Sequence, residues 1–169
     1  MKKDKTLFPF GQLPVMEKGG KVYTQSFAIL KYLGVEYGYF PTNAEEIYLQ
    51  EVALEALKDI MTSMLSLKDI PIKERKAKAD EFLEGFATTE FSAFEAMLKK
   101  KENKNFWSGE KLTVADFGFA IFYADHVAKG MLKKAFDDVL DKFPTLDEYM
   151  QGKYAQFKEY FEKRPVCPY

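Results

Sequence analysis

Apolar and polar residues alternate in two unlike patterns along this chain. Up to about residue 26 the apolar residues come in short runs, Leu7-Phe8, Leu13-Pro14-Val15-Met16 and Val22-Tyr23, separated by glycine and charge. That spacing predicts short strands joined by a turn at Glu17-Lys18-Gly19-Gly20. From residue 43 onward apolar residues recur every three or four positions, the period of a helix with one buried face. A long helix is expected over about 43–67, with Ile47, Val52, Leu54, Leu57, Ile60, Met61, Met64 and Leu65 turned inward. A second is expected over about 73–100, carrying Phe82, Phe86, Phe91, Phe94, Met97 and Leu98, and three more over 114–129, 131–142 and 145–162. Between the two regimes a helix over 26–37 presents Ile29, Leu30, Leu33 and Tyr37 on one side and stops at Gly38.

Local signals sharpen these boundaries. Ser26 is the expected N-cap of the first helix. Thr42-Asn43-Ala44-Glu45 reads as a capping box for the second, and Thr113 with Asp116 as another, Leu112 stapling from outside. Pro41 biases Phe40 away from helix. Lys68-Asp69-Ile70-Pro71 breaks the first long helix, and Gly85 with Thr88-Thr89 is expected to bend the second. Pro144 and the Lys163-Arg164-Pro165 run mark later ends. Pro14 cannot donate to a strand ladder, so it belongs at an edge, a strand start or a bulge. If the Leu13-Pro14 bond is cis, it turns the backbone sharply and leaves the amide and carbonyl of Leu13 facing outward, free to pair with a peptide-like ligand. Just beyond, a helix opening at Gln25-Ser26 offers unpaired amides and a positive dipole end, which suits a carboxylate.

Composition narrows the classes. The length, 169 residues, suits one domain or one domain with a small appendage. A net charge of -1 gives no reason to expect nucleic acid as a partner. Sixteen Phe and ten Tyr exceed what a helical core needs and suit contact surfaces as well. One cysteine, Cys167, allows neither an internal disulfide nor a cysteine metal cluster, so a metal site is not expected. No apolar run is long enough for a transmembrane helix. The start, Met1-Lys2-Lys3-Asp4-Lys5, has no secretory or transit pattern. The cytoplasm is the default compartment, an organelle such as the mitochondrion the alternative.

Phe10-Gly11-Gln12-Leu13-Pro14-Val15-Met16, the Gly-Gly turn and the Gln25-Ser26-Phe27-Ala28-Ile29 helix start together resemble the glutathione-binding domain of cytosolic glutathione transferases. The sigma class, which includes the haematopoietic prostaglandin D synthases, is the nearest match. The Leu112-Thr113-Val114-Ala115-Asp116 run resembles a folding signature of the family's helical domain. The fold implied is mainly α: the transferase C-terminal helical domain over 42–165, preceded over 1–39 by a truncated thioredoxin-like ββα remnant. The resemblance implies that the backbone of Leu13, before Pro14, pairs with the cysteinyl part of glutathione. It implies that Gln25 and Ser26, joined by Gln12, hold the γ-glutamyl end, and that Lys5 reaches the glycyl end. The family's tryptophan four residues before that lysine falls on Met1. Asp59 stands where sigma-class relatives have an aspartate that reaches the other subunit's glutathione. Met61, Met64 and Leu65 fall in the region that lines the hydrophobic substrate site.

Each of these residues also has a plainer reading. Asp59 reads equally as a solvated helix carboxylate, the methionines as core, and Ser26 as a cap. His126 beside Asp125 lacks a nucleophile with an activating motif and reads as structural. Asp116 reads as a fold determinant, and Cys167 as a bystander in a proline-flanked tail.

The family's first strand, first helix and second strand find no counterpart in these 169 residues, and with them goes the tyrosine, serine or cysteine that stabilises the glutathione thiolate. No catalytic residue is therefore expected here. A free thiol, with a pKa of about 8.5, is only a few per cent thiolate at neutral pH. The first expectation is a transferase-like protein without conventional conjugation, a structural or interaction subunit of a larger assembly. A second is a sigma-type transferase whose missing elements come in trans, and a third a glutathione-binding module. The open strand edge near Phe10–Met16 is expected to be covered by another protein chain, in a homodimer or a larger complex.

Overall fold

The computed structural model describes residues 4–129 and 132–165. Met1 and Cys167 lie outside the described residues, as does Met131 at the start of the helix expected over 131–142. The front of the chain forms two antiparallel strands, β1 (Val15–Lys18) and β2 (Lys21–Thr24), with Val15 opposite Thr24 and Lys18 opposite Lys21. Gly19 and Gly20 both have positive φ, 57° and 71°, the conformation that a two-residue hairpin loop requires and that a side chain disfavours. Helix α1 (Ser26–Glu36) follows, and Gly38, at φ 77°, ends it while Tyr39 N–H returns to the carbonyl of Gly34 at 2.7 Å.

Among the described residues seven further α-helices follow, with a short 3-10 turn at Leu67–Asp69: α2 (Ala44–Ser66), α3 (Ile72–Phe82), α4 (Thr88–Lys99), α5 (Val114–Phe122), α6 (Lys133–Leu140), α7 (Pro144–Gln156) and α8 (Lys158–Lys163). The helix expected over 73–100 is present as α3 and α4 joined through a single π turn at Leu83–Ala87. The Thr88 hydroxyl donates to the Leu83 carbonyl at 2.7 Å and the Thr89 hydroxyl to that of Gly85 at 3.1 Å, so the threonines act where a bend was expected. A second π turn, Tyr123–Val127, continues α5. The helix expected over 145–162 divides at Phe157 into α7 and α8.

Several expectations need correction. Gln25, not Ser26, is the N-cap of α1, and Ser26 is its first helical residue. The second helix is capped by Asn43, whose side chain accepts the Glu46 amide at 2.9 Å, so its cap lies one residue beyond Thr42. Tyr37, Leu65 and Phe86 are exposed rather than inward. Tyr37 lies past the last helical residue of α1, and Leu65 sits in the last turn of α2. Phe86 lies in the π turn, whose extra residue rotates the register so that Leu83 and Ala87 take the buried places.

The core lies among the helices. Trp107 meets Phe94 edge-on at 5.4 Å and Phe119 at 4.7 Å, and Phe91, Phe122, Phe136 and Phe143 extend the aromatic cluster. Buried Asp116 organises the connector before α5. It accepts Trp107 N–H at 3.0 Å, Thr113 N–H at 2.8 Å, the Thr113 hydroxyl at 3.0 Å and the Tyr149 hydroxyl at 2.6 Å. The first turn of α7 is capped from α4: Glu95 accepts the amides of Thr145 and Leu146, at 3.3 and 2.7 Å.

The front unit is seated on this body but buries little of itself. Among residues 4–40 only Phe8 and Gly34 are buried. Gly34 lets α1 approach α5 closely: a Cβ there meets Val114 Cγ1 at 2.5 Å. Val114 N–H donates to the Tyr39 carbonyl at 3.0 Å, the Tyr39 ring stands edge-on to Phe117 at 5.0 Å, and Lys31 pairs with Glu51 of α2. Among the described residues, no helix is long and apolar enough to cross a membrane.

Candidate functional site

The hairpin register decides which front residues come together. With Val15 opposite Thr24, the residues entering β1 and those leaving β2 lie at one end of the hairpin, away from the Gly19-Gly20 turn. Leu13 and Pro14 enter the ladder at Val15, and Gln25 and Ser26 leave it at the opposite residue, Thr24. The Leu13-Pro14 bond is cis. Leu13 is 57% exposed, and Gln12, Pro14, Gln25 and Ser26 are exposed as well.

Gln25 has φ 68° and ψ 112°, and is the sole described residue other than glycine with positive φ. Such backbone costs of order 1–3 kcal/mol for a residue with a Cβ, and persists where its surroundings hold it. Its carbonyl accepts Ile29 N–H at 2.9 Å, the first bond of α1, while its side chain makes no capping bond. The first turn of α1 contains no acidic residue and no side-chain cap, so its amides face outward uncompensated. The end of the hairpin away from its turn thus carries an exposed backbone segment at Leu13, an amide side chain at Gln25, a hydroxyl at Ser26 and a helix N-terminus. Together they can pair with an extended peptide and take a carboxylate.

The remaining expected site residues lie elsewhere. Lys5 is exposed in the turn that precedes Phe8. Asp59 is exposed on α2, Met61 and Met64 are half-buried against the helical core, and Leu65 is 55% exposed. Asp59, Met61, Met64 and Leu65 share one helix, α2. His126 packs its ring on Phe122 at 5.4 Å, while Asp125 is held by Arg164, an arrangement that gives the histidine no catalytic partner. Burial pushes the His126 pKa below its ordinary value, Asp125 opposing and Lys68 reinforcing the shift.

Other polar groups escaped the sequence reading. Gln50 is fully buried, and neither end of its amide finds a partner among the described residues. Lys153 is 6% exposed at an inward position of α7, behind Leu146, Tyr149 and Met150. The helical spacing 146, 149, 150, 153 was the available signal, because it places a lysine on the buried stripe. Leu7, Phe10 and Leu13 form a run of exposed apolar side chains leading into β1, with Phe10 at 64%.

Comparison with known proteins gives consistent matches. A family model described as the glutathione S-transferase C-terminal domain matches residues 58–164, and the corresponding N-terminal domain model matches residues 4–35. The probable glutathione S-transferase 5 of Caenorhabditis elegans is 31% identical over 172 aligned positions, covering 95% of this chain and 77% of the relative. The solved structure of the Pi-class glutathione S-transferase of Onchocerca volvulus superposes with a TM-score of 0.78 at 26% identity, covering 96% of this chain and 76% of that one. The structure of a prostaglandin synthase D of Nilaparvata lugens matches in fold, with a TM-score of 0.76 at 24% identity, over 94% of this chain and 77% of that one.

Proposed function

Because this chain belongs to the glutathione S-transferase family, we propose that its hairpin end grips glutathione while the group that polarises the sulfur lies outside these 169 residues. Leu13 offers its backbone to the cysteinyl unit, Gln25 and Ser26 take the γ-glutamyl carboxylate with help from Gln12, and Lys5 reaches the glycyl carboxylate. The observation that carries the reading is Gln25: an unfavourable backbone, held at an uncapped helix start at the hairpin end that carries Leu13, is what a ligand-gripping residue needs.

The sulfur sets the chemical limit. Conjugation needs a thiolate, and the family obtains it from a hydroxyl or thiol on a strand that precedes the segment matched here. By themselves these residues bind glutathione but leave its thiol near its ordinary pKa, so conjugation is slow. The reading extends to a partner. The exposed Leu7, Phe10 and Leu13 and the free side of β1 favour a covering element from another chain, in a homodimer or a larger complex, which makes this chain a structural or interaction subunit.

A sigma-type transferase completed in trans is the second reading, favoured by the N-terminal domain match over 4–35. It then uses Asp59 across a dimer and Met61, Met64 and Leu65 at the hydrophobic electrophile. Glutathione titration by calorimetry, paired with an aryl-halide conjugation assay, separates the readings. Binding that falls at least tenfold in Ser26→Ala, with conjugation at the uncatalysed rate, is the expected result. Conjugation by the 169-residue chain alone overturns the first reading, and no binding overturns both.

A further inference from the structure

The connector between α4 and α5, residues 100–113, contains no regular secondary structure, yet its middle is held closely. Lys101, just past α4, donates its amine to the carbonyls of Phe106 and Trp107. Lys153, on α7, donates to the carbonyl of Asn105. Three successive carbonyls thus accept from two lysines anchored on different helices. A loop has no ladder to satisfy its backbone, and at buried Trp107 a carbonyl without a partner is costly, so these amines take the place that a strand or water takes elsewhere.

The surroundings fit the arrangement. Lys153 Nζ lies 3.7 Å from Asp116 Oδ1, 4.8 Å from the centre of the Phe106 ring and 5.4 Å from that of Tyr149. The charges of Asp116, Glu110 and Glu46 favour the protonated Lys101 amine and that of Lys153 opposes it, and the Glu46 carboxylate lies over Gly109, 2.8 Å from where a Cβ would stand. Burial pushes both amines below the ordinary lysine pKa, with Asp116 pulling the other way. Behind the carbonyls, Trp107 donates its indole N–H to the Leu49 carbonyl of α2 at 2.7 Å and its amide to Asp116. Trp107 thus ties the connector to α2 and to the start of α5.

We propose that Lys101 and Lys153 act jointly as a two-amine latch on the carbonyls of residues 105–107, keeping the connector closed over Trp107 so that it opens as one local unit, ahead of global unfolding. Each amine supplies N–H donors to neighbouring peptides, so losing either one frees the same segment. The effects of the two losses are consequently not additive. Lys101→Arg keeps donors within reach and preserves the latch.

Trp107 is the single tryptophan of the chain, so its emission reports the connector directly. The test combines amide hydrogen exchange over residues 102–112 with acrylamide quenching of Trp107, in the whole chain. Lys101→Met and Lys153→Met are each expected to speed exchange there about tenfold or more and to raise quenching, while α2 and α5 keep their protection. The double variant is expected to resemble either single one, and Lys101→Arg to resemble the parent. Uniform acceleration across all helices, additive effects, or unchanged exchange overturns the latch. If Lys153→Met does not fold, Lys101→Met and the parent decide. The parent's 102–112 segment must exchange as one unit and more slowly than the loop around Ile70-Pro71, and equal rates overturn the proposal.

Discussion

At the scale of single residues, Asp116 carries the most. Four donors converge on its carboxylate in a fully buried place, and Lys153 stands close by. Asp116→Ala strands those donors, and urea denaturation is expected to report a loss of about 3–5 kcal/mol. Gln50 is the opposite case. Its amide is buried without partners among the described residues, so Gln50→Met removes the desolvation cost at similar volume and is expected to stabilise by about 1–2 kcal/mol in the same assay. His126 ties stability to pH. Its folded pKa lies below the ordinary 6.5, because burial disfavours the charged ring. The unfolded chain therefore binds the proton more readily, and stability falls as pH drops below about 6.5 towards the folded value. The urea midpoint is expected to decline from pH 7 to pH 5 in the parent, and to decline less in His126→Gln.

At the scale of elements, the sequence was legible where a local rule acted alone. Gly19-Gly20 announces the hairpin because only glycine takes positive φ twice without penalty, and the helices announce themselves by period. The Thr113–Asp116 capping box was readable for the same reason: both partners lie within one turn. What stayed hidden depends on distant parts of the chain. Phe86 follows the helical period but is turned out by a π turn that the threonine hydroxyls accommodate. Glu95 caps α7 from fifty residues away, which no local pattern records. Of the candidate site, the Leu13-Pro14 corner and the Gln25-Ser26 helix start could be read as residues, whereas the unusual backbone of Gln25 could not, since no sequence pattern announces positive φ at a glutamine. The seating of α1 is a close-approach problem and gives a direct check. Gly34→Ala drives a methyl to 2.5 Å from Val114 Cγ1, and a loss of about 1–3 kcal/mol is expected, with the hairpin released first in hydrogen exchange.

At the scale of the molecule, the chain joins a well-buried helical body to a front unit that is mostly exposed. The body holds the aromatic core, the Asp116 hub and the seat for α1. The front unit holds the surface that faces glutathione in the proposed reading, together with the exposed apolar run at Leu7, Phe10 and Leu13. Binding and sulfur activation are thus assigned to different pieces, and the thiol itself reports on the division. Ultraviolet difference spectroscopy of glutathione bound to the 169-residue chain, followed across pH, measures that thiol directly. The account predicts saturable binding, weakened in Ser26→Ala, with the bound thiol ionising near its free value of about 8.5. A thiolate band already present at neutral pH, or no binding at all, contradicts it.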